Sequence, residues 1–476
     1  MKNKNVESSK KKPSFFLSLM PLLAIAVFLG LGYGLLRLKA EVLLIAAAAV
    51  AALIALRLGY TYKDLEEGII KSMMKGMPAM LIVIVVGALI GSWIACGTIP
   101  MLVYYGLQII SPKFFLVTAC IVCSIISVVT GTSYGTVGTI GVAFMGIAHG
   151  LNIPLGHAAG AIVAGAYFGD KISPFSDTTN LAPIAARSNL FDHIRHTLWT
   201  TSPAWLLGLG VYFFLGLTSG GGGSGSVSLI KTGLILKTIR ANFSFHWLLL
   251  LPPAITLYSA VRKKPVIPNM FLSSGTAVFL AILIQKLNLQ TAIGSLVTGF
   301  ESKTGEILVD TLLSRGGMSS MMHVTLIAFC AFAFGGIVQH TGMLDVILER
   351  LLRVADNPGK IIASSVAASI ATALMTGSSF LSILIPGELF APAYKKHNLA
   401  AKNLSRTTED SGTVVVPLIP WSIAGVFMAG TLGVPTTAYA PWAVMCYSGF
   451  VFALLYGFTG FAIAPKIRDD ETIPGS

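Results

Sequence analysis

Between Lys113 and Asp170 the chain carries no aspartate, glutamate, lysine or arginine. A helix crosses the hydrocarbon core of a bilayer with about 20 apolar residues. This stretch is therefore too long for one helix and must hold several spans or half-spans. Further uncharged runs cover residues 15–36, 76–112, 197–230 and 411–465. Soluble domains carry about 25% charged residues, whereas this chain has 11% charged and 54% hydrophobic residues over 476 positions. Such a chain lacks the polar surface of a soluble enzyme, a secreted disulfide scaffold or a disordered protein, and it has too many runs for a single-pass receptor. A transmembrane β-barrel would show short alternating segments instead. The reading is an all-α polytopic membrane protein with roughly 10–13 spans.

The net charge is +13. Its basic residues sit between apolar runs, which points to loops facing anionic lipid headgroups and not to nucleic acid. Lys2, Lys4, Lys10, Lys11 and Lys12 precede the first run. That run is long for a signal peptide, and more spans follow, so it reads as a retained helix with a cytoplasmic N-terminus. Residues 42–56 form a shorter span flanked by Glu41 and Arg57. Residues 60–75 interleave Asp64, Glu66, Glu67, Lys71 and Lys75 with Leu65, Ile69, Ile70 and Met73, the pattern of an amphipathic helix on the cytoplasmic surface. Further spans are expected at 246–260, 266–284, 321–340 and 361–384. Residues 219–226 (SGGGGSGS) are a flexible linker by composition. The five cysteines lie in apolar sequence without metal-site neighbours and read as packing residues.

An internal repeat organises the chain. Thr130-Gly131-Thr132-Ser133-Tyr134 matches Thr376-Gly377-Ser378-Ser379-Phe380. Downstream, residues 176–183 (SDTTNLAP) resemble residues 409–417 (EDSGTVVVP), which aligns Asp177 with Asp410. Upstream, 87–97 lines up loosely with 332–342. The chain divides into a cytoplasmic N-terminus with two scaffold helices (1–64), a first repeat (65–205), a linker with scaffold helices (206–304), a second repeat (305–445), and a last helix and tail (446–476). Lys113 is alone in its loop, whereas Arg350, Arg353 and Lys360 occupy the counterpart. Arg262, Lys263 and Lys264 mark another inside loop. By the positive-inside rule the two repeats are inverted.

Inverted repeats with interrupted helices and re-entrant segments are the architecture of secondary transporters. Unwound backbone is tolerated in a bilayer only inside protein or beside water. There its carbonyls, with serine and threonine hydroxyls, make the hard oxygen ligands that a sodium ion takes. Thr132, Ser133, Ser378 and Ser379 fit that role. Asp170, Asp177 and Asp192 are the only acids between Glu67 and Glu301. Asp192 lies in a polar, solvated segment. Asp177, among Ser176, Thr178 and Asn180, is the better cation ligand. Asp170 is an alternative cavity acid or an ion-pair partner of Lys171, and Ser173 lies nearby. In the second half Asp410 plays the part of Asp177, with Ser411 and Thr413 beside it. Glu409 is a candidate partner of Arg406. Glu388 either faces the same cavity or marks a helix end. A carboxylate that binds a proton or a sodium ion at one site makes an exchanger, and Asp177 and Asp410 are the candidates for that competition.

These motifs resemble the NhaC family of sodium/proton antiporters. The resemblance rests on GTSYGTVGTIG at 131–141, GDKISPFSDTTNLAP at 169–183, TGSSF at 376–380 and TTEDSGTVVVPLIPW at 407–421. It covers nearly the whole chain outside the basic N-terminus and the Gly/Ser stretch. It implies a multi-pass protein of the bacterial cytoplasmic membrane, with a substrate-carrying unit moving against a scaffold. Na+ and H+ are then transported ions, no cofactor is needed, and no enzymatic step is involved. The family also contains malate-proton/sodium-lactate exchangers, so carboxylate-coupled transport is the alternative, with Lys171, Arg187 or Arg406 as anion ligands. A channel or membrane enzyme fits the motifs less well. The expected partners are the lipid bilayer, small ions, malate or lactate in the alternative reading, and a second copy of the chain in a homodimer.

Overall fold

The computed structural model describes residues 11–36, 38–219, 225–262 and 264–465. Lys2, Lys4, Lys10, Lys263 and most of the Gly/Ser linker fall outside the described residues. Among the described residues there are helices and two isolated bridges, with no strand. Among the described residues, eight helices are long and apolar enough to cross a bilayer, and up to eleven spans result when each of three bent helix pairs counts as one. The protein is an all-α polytopic membrane protein. Its cysteines are free and buried.

The first helices are α1 (Phe15–Val27), continued by a π-helical segment Phe28–Leu35, and α2 (Ala40–Arg57). Next comes α3 (Tyr62–Ala95), one uninterrupted helix of 34 residues. At 1.5 Å per residue it is about 50 Å long, more than a bilayer core requires. The amphipathic stretch expected to lie on the membrane surface is instead the first turns of this helix. It starts at a capping box in which Thr61 and Asp64 bond reciprocally. These turns pack on α16, with Gly68 against Gly336 and His340, and just before the helix the Tyr60 hydroxyl donates to the Thr341 carbonyl at 3.2 Å.

The remaining elements of the first half are α4 (Thr98–Ile109), α5 (Phe115–Thr130), α6 (Ser133–Thr136), α7 (Val142–Gly150), α8 (Leu155–Ile172), α9 (Asp177–Ala186) and α10 (Leu190–Ser219). A π-helical segment, Val137–Gly141, joins α6 to α7. Then follow α11 (Gly225–Asn242), α12 (Leu251–Val261), α13 (Val266–Leu283), α14 (Leu289–Val297) and α15 (Ile307–Leu313). The second half has α16 (Met322–His340), α17 (Met343–Arg353), α18 (Pro358–Thr376), α19 (Ser379–Lys396), α20 (Ala401–Gly412), α21 (Ile423–Leu432), α22 (Thr436–Tyr439) and α23 (Val444–Thr459).

Local construction repeats between the halves. The α3–α4 junction turns at Gly97 with φ +91°, and the α16–α17 junction turns at Gly342 with φ +70°. Helix α5 stops at Gly131 (φ +68°) and α18 stops at Gly377 (φ +64°). An L residue with a side chain rarely adopts that backbone, so glycine ends each helix. A hydroxyl then caps the next one: Thr132 accepts from the Gly135 N–H, and Ser378 from the Leu381 N–H. The expected single span at 361–384 is therefore two helices broken at Gly377.

Helix α5 packs on α8 and α18 on α20, while α10 and α23 touch both α8 and α20. This context changes one expected equivalence. Asp177 is the first residue of α9, after the N-cap Ser176, whereas Asp410 lies in the last turn of α20. In the second half the helix that follows α20 starts at Ser422, which caps α21. Asp170-Lys171 at the end of α8 thus occupies the place of Glu409-Asp410 at the end of α20. Sequence similarity had matched a helix start to a helix end.

Candidate functional site

The two broken helices meet at a cavity of about 590 Å³. Thr132 and Ser133 after the first break, and Ser378 and Ser379 after the second, line it together with Thr413. The end of α8 adds Asp170, and the start of α9 adds Ser176, Asp177 and Thr178. These are most of the residues singled out from the sequence, brought together from both halves. Asp177 is exposed toward the cavity, whereas Asp170 is 8% exposed.

The remaining candidates do not line it. Asn180 donates to the Pro174 and Ser176 carbonyls at 2.9 and 2.6 Å, which stabilises the α8–α9 turn. Ser173 donates to the Val128 carbonyl at 2.7 Å and Ser411 to the Thr407 carbonyl at 2.6 Å. Glu388 is exposed in the middle of α19 and neither faces the cavity nor ends a helix. Asp410 and Glu409 are wholly buried behind the cavity wall.

Asp170 accepts a hydrogen bond from the Ser133 hydroxyl at 2.7 Å. It does not pair with its neighbour Lys171. The Lys171 ammonium reaches across to Asp410, and both side chains are fully buried. Thr200 of α10 donates to the same Asp410 oxygen at 3.1 Å. Nor does Glu409 pair with Arg406. One Glu409 oxygen lies 2.7 Å from His193 Nε2, and the other lies 3.1 Å from the Thr179 hydroxyl. Arg406 donates through Nη1 to the Ala462 carbonyl at 2.8 Å, and its guanidinium sits over the Tyr456 ring at 5.9 Å.

Sequence reasoning missed Thr179, His193 and Thr200. The polar segment of Asp192 also contains His193 and Arg195. On the helix these two neighbours are exposed while His193 is wholly buried. The signal was available in the helical spacing of His193, His196, Thr197 and Thr200, which form one polar face of α10. Buried charges need partners or desolvation defeats them. Here Lys171 offsets Asp410, and Asp170 has a hydroxyl partner but no basic partner among the described residues.

The model described as the Na+/H+ antiporter family matches residues 165–461. The chain belongs to this family. It is 44% identical over 459 residues to a Haemophilus influenzae protein described as an uncharacterized Na(+)/H(+) antiporter, covering 95% of this chain and 98% of that one. It is 38% identical over 432 residues to the Na(+)/H(+) antiporter NhaC of Alkalihalophilus pseudofirmus, covering 90% and 92%. It is 35% identical over 411 residues to the malate-2H(+)/Na(+)-lactate antiporter of Bacillus subtilis, covering 86% and 87%. The resemblance drawn from the four motifs is borne out. The matched part of this antiporter chain begins within α8 and takes in the whole buried network of Asp170, Lys171, His193, Glu409 and Asp410.

Proposed function

We propose that this protein exchanges sodium for protons across the bacterial cytoplasmic membrane, with Asp170 as the carboxylate for which the two ions compete. One observation carries the assignment of the acid. Asp170 is buried on the cavity wall and bonded to a hydroxyl, with no basic side chain paired to it among the described residues. Asp410 is held by Lys171 and Thr200 behind that wall. A buried carboxylate without a cation is stabilised by taking up either a proton or a metal cation. Hydroxyls of Ser133, Ser176 and Thr132 supply further hard oxygens beside it. The unit of residues 65–205 and that of 305–445 then alternate the exposure of the cavity, as inverted repeats do. The N-terminus is cytoplasmic in this reading, a homodimer is the proposed assembly, and no enzymatic step or cofactor takes part.

The test uses proteoliposomes with a trapped pH dye and an imposed pH gradient. Sodium alone is expected to move protons. Asp170→Asn should abolish that movement, and Asp177→Asn should weaken it less. If Asp170→Asn transports normally, another acid carries the ion.

Carboxylate-coupled exchange is the second reading. The cavity far exceeds the volume of a bare cation, and Lys75 and Lys264 are among its lining residues. Proton movement that begins only when malate or lactate is added with sodium would favour it.

A further inference from the structure

Glu409 and His193 are both wholly buried and lie outside the cavity. Each end of the pair meets a hydroxyl that is surrounded by more acceptors than it has hydrogens. The Thr179 hydroxyl lies 2.9 Å from the Asp170 carbonyl, 3.2 Å from the Lys171 carbonyl and 3.1 Å from Glu409 Oε1. It has one hydrogen to give. If that hydrogen goes to Glu409, the carboxylate is unprotonated. If it goes to the Asp170 carbonyl, Thr179 is left as an acceptor, and Glu409 must bring its own proton to the contact. At the other end Ser405 Oγ lies 2.9 Å from His193 Nδ1 and 3.1 Å from the Lys402 carbonyl. A neutral Nδ1 accepts the Ser405 hydrogen. A protonated Nδ1 donates to Ser405, whose hydrogen then turns to the Lys402 carbonyl. Both protonation states of the pair are therefore fully hydrogen-bonded without moving a heavy atom.

We propose that the Glu409–His193 pair is a second proton seat of the exchange cycle, distinct from Asp170 and coupled to it through Thr179. The proton is gained by the pair as Thr179 turns its hydrogen to the α8 carbonyl, and is lost as Thr179 turns back to Glu409. The coupling is physical: Thr179 reads the backbone of the very residue whose carboxylate lines the cavity. Several groups set the field at the pair. From α20 these are Lys402, Arg406 and Asp410, from α8 Asp170 and Lys171, and from α10 His196, with Asp192 and Arg195 exposed. Asp177 is exposed at the start of α9, Tyr394 comes from α19, and Tyr456 from α23. The inference rests on the exchange reading above for the direction in which the proton is used.

The experiment counts protons released from the full chain in detergent when sodium is added, across about pH 5–8. The same variants are then followed in proteoliposomes. His193→Gln and Glu409→Gln should lower the proton count and remove one titrating step from the pH profile, while sodium binding persists. Ser405→Ala leaves both acid and base in place and should shift the profile. It serves if the first two variants do not fold, as judged by thermal unfolding. A wild-type count and profile in folded His193→Gln, or in Ser405→Ala where that variant does not fold, would overturn the second seat. Absence of sodium-driven proton flux in the wild type would overturn the exchange reading instead, and the detergent count would still decide whether the pair titrates.

Discussion

Lys171 and Asp410 stand 239 residues apart in the chain and form an ion pair inside the protein. The pair joins the last turn of α8 to the last turn of α20, the two corresponding helix ends of the halves. Asp410 is bonded through one carboxylate oxygen, by Lys171 and Thr200, and its second oxygen has no hydrogen-bond partner among the described residues. Arg406, one turn earlier on α20, also has Nε and Nη2 without partners among them.

Removing one member of a buried pair leaves the other charge uncompensated, at a cost of about 3–5 kcal/mol. Lys171→Met and Asp410→Asn should each lower the thermal unfolding temperature in detergent strongly. The double variant should lose much less than the sum of the two. Additive losses would mean that the two side chains do not depend on each other.

Ser133 gives Asp170 its hydrogen bond, and one to a charged group contributes about 1.5–3 kcal/mol. Ser133→Ala is expected to raise the sodium concentration for half-maximal proton flux about tenfold or more. The maximal rate should change less. An unchanged sodium dependence would remove Ser133 from the ion's surroundings.

The two helix breaks should tolerate alanine unequally. Positive φ alone costs an L residue about 1–2 kcal/mol. At Gly131 an added Cβ would also sit 2.6 Å from the Phe175 backbone carbon, whereas at Gly377 its nearest neighbour is Ser422 Cα at 3.2 Å. Gly131→Ala should therefore destabilise the protein more than Gly377→Ala, and it should displace the α8–α9 turn that carries Ser176. Equal unfolding temperatures for the two variants would contradict this.

Acid should loosen the loop before α15. The Asp310 carboxylate is held below the usual aspartate range by the Thr304 N–H, with the Thr304 and Ser302 hydroxyls adding to the effect. A lowered folded value means that the stabilisation is present above about pH 3.9, the unfolded reference, and is lost as pH falls through the folded value. The hydrogen-exchange protection factors of the Thr304 and Gly305 amides should fall in that acidic window. In Asp310→Asn the protection factors should be low throughout and should not change with pH.

Much of the fold was legible because lipid imposes simple rules. The runs at 15–36 and 42–56 correspond to the start of the chain's helices, and the glycine–hydroxyl motifs at 131–133 and 377–379 do break helices where they stand. The surface helix expected at 60–75 was misread because interleaved charge looks the same on a helix lying flat and on the protruding end of a long span. What separates the two is the packing of α3 on α16, where Gly68 meets Gly336 and His340.

The candidate site was legible as a set of residues and not as a set of roles. Local sequence determined that this chain crosses a membrane, that one glycine–hydroxyl helix break recurs at 131–133 and 377–379, and that hydroxyls and acids cluster where its helices break. Those properties follow from transfer free energy, from φ and from the chemistry of neighbouring side chains. Only the tertiary structure decided how each acid stands to the cavity. Asp177 and Asp170 both line it, Asp177 exposed and Asp170 buried on the wall. Asp410 is taken by Lys171, and Glu409 by His193. In a low-dielectric interior each buried charge is stabilised by what approaches it in space, and for these residues that is set by the packing of α8, α10 and α20.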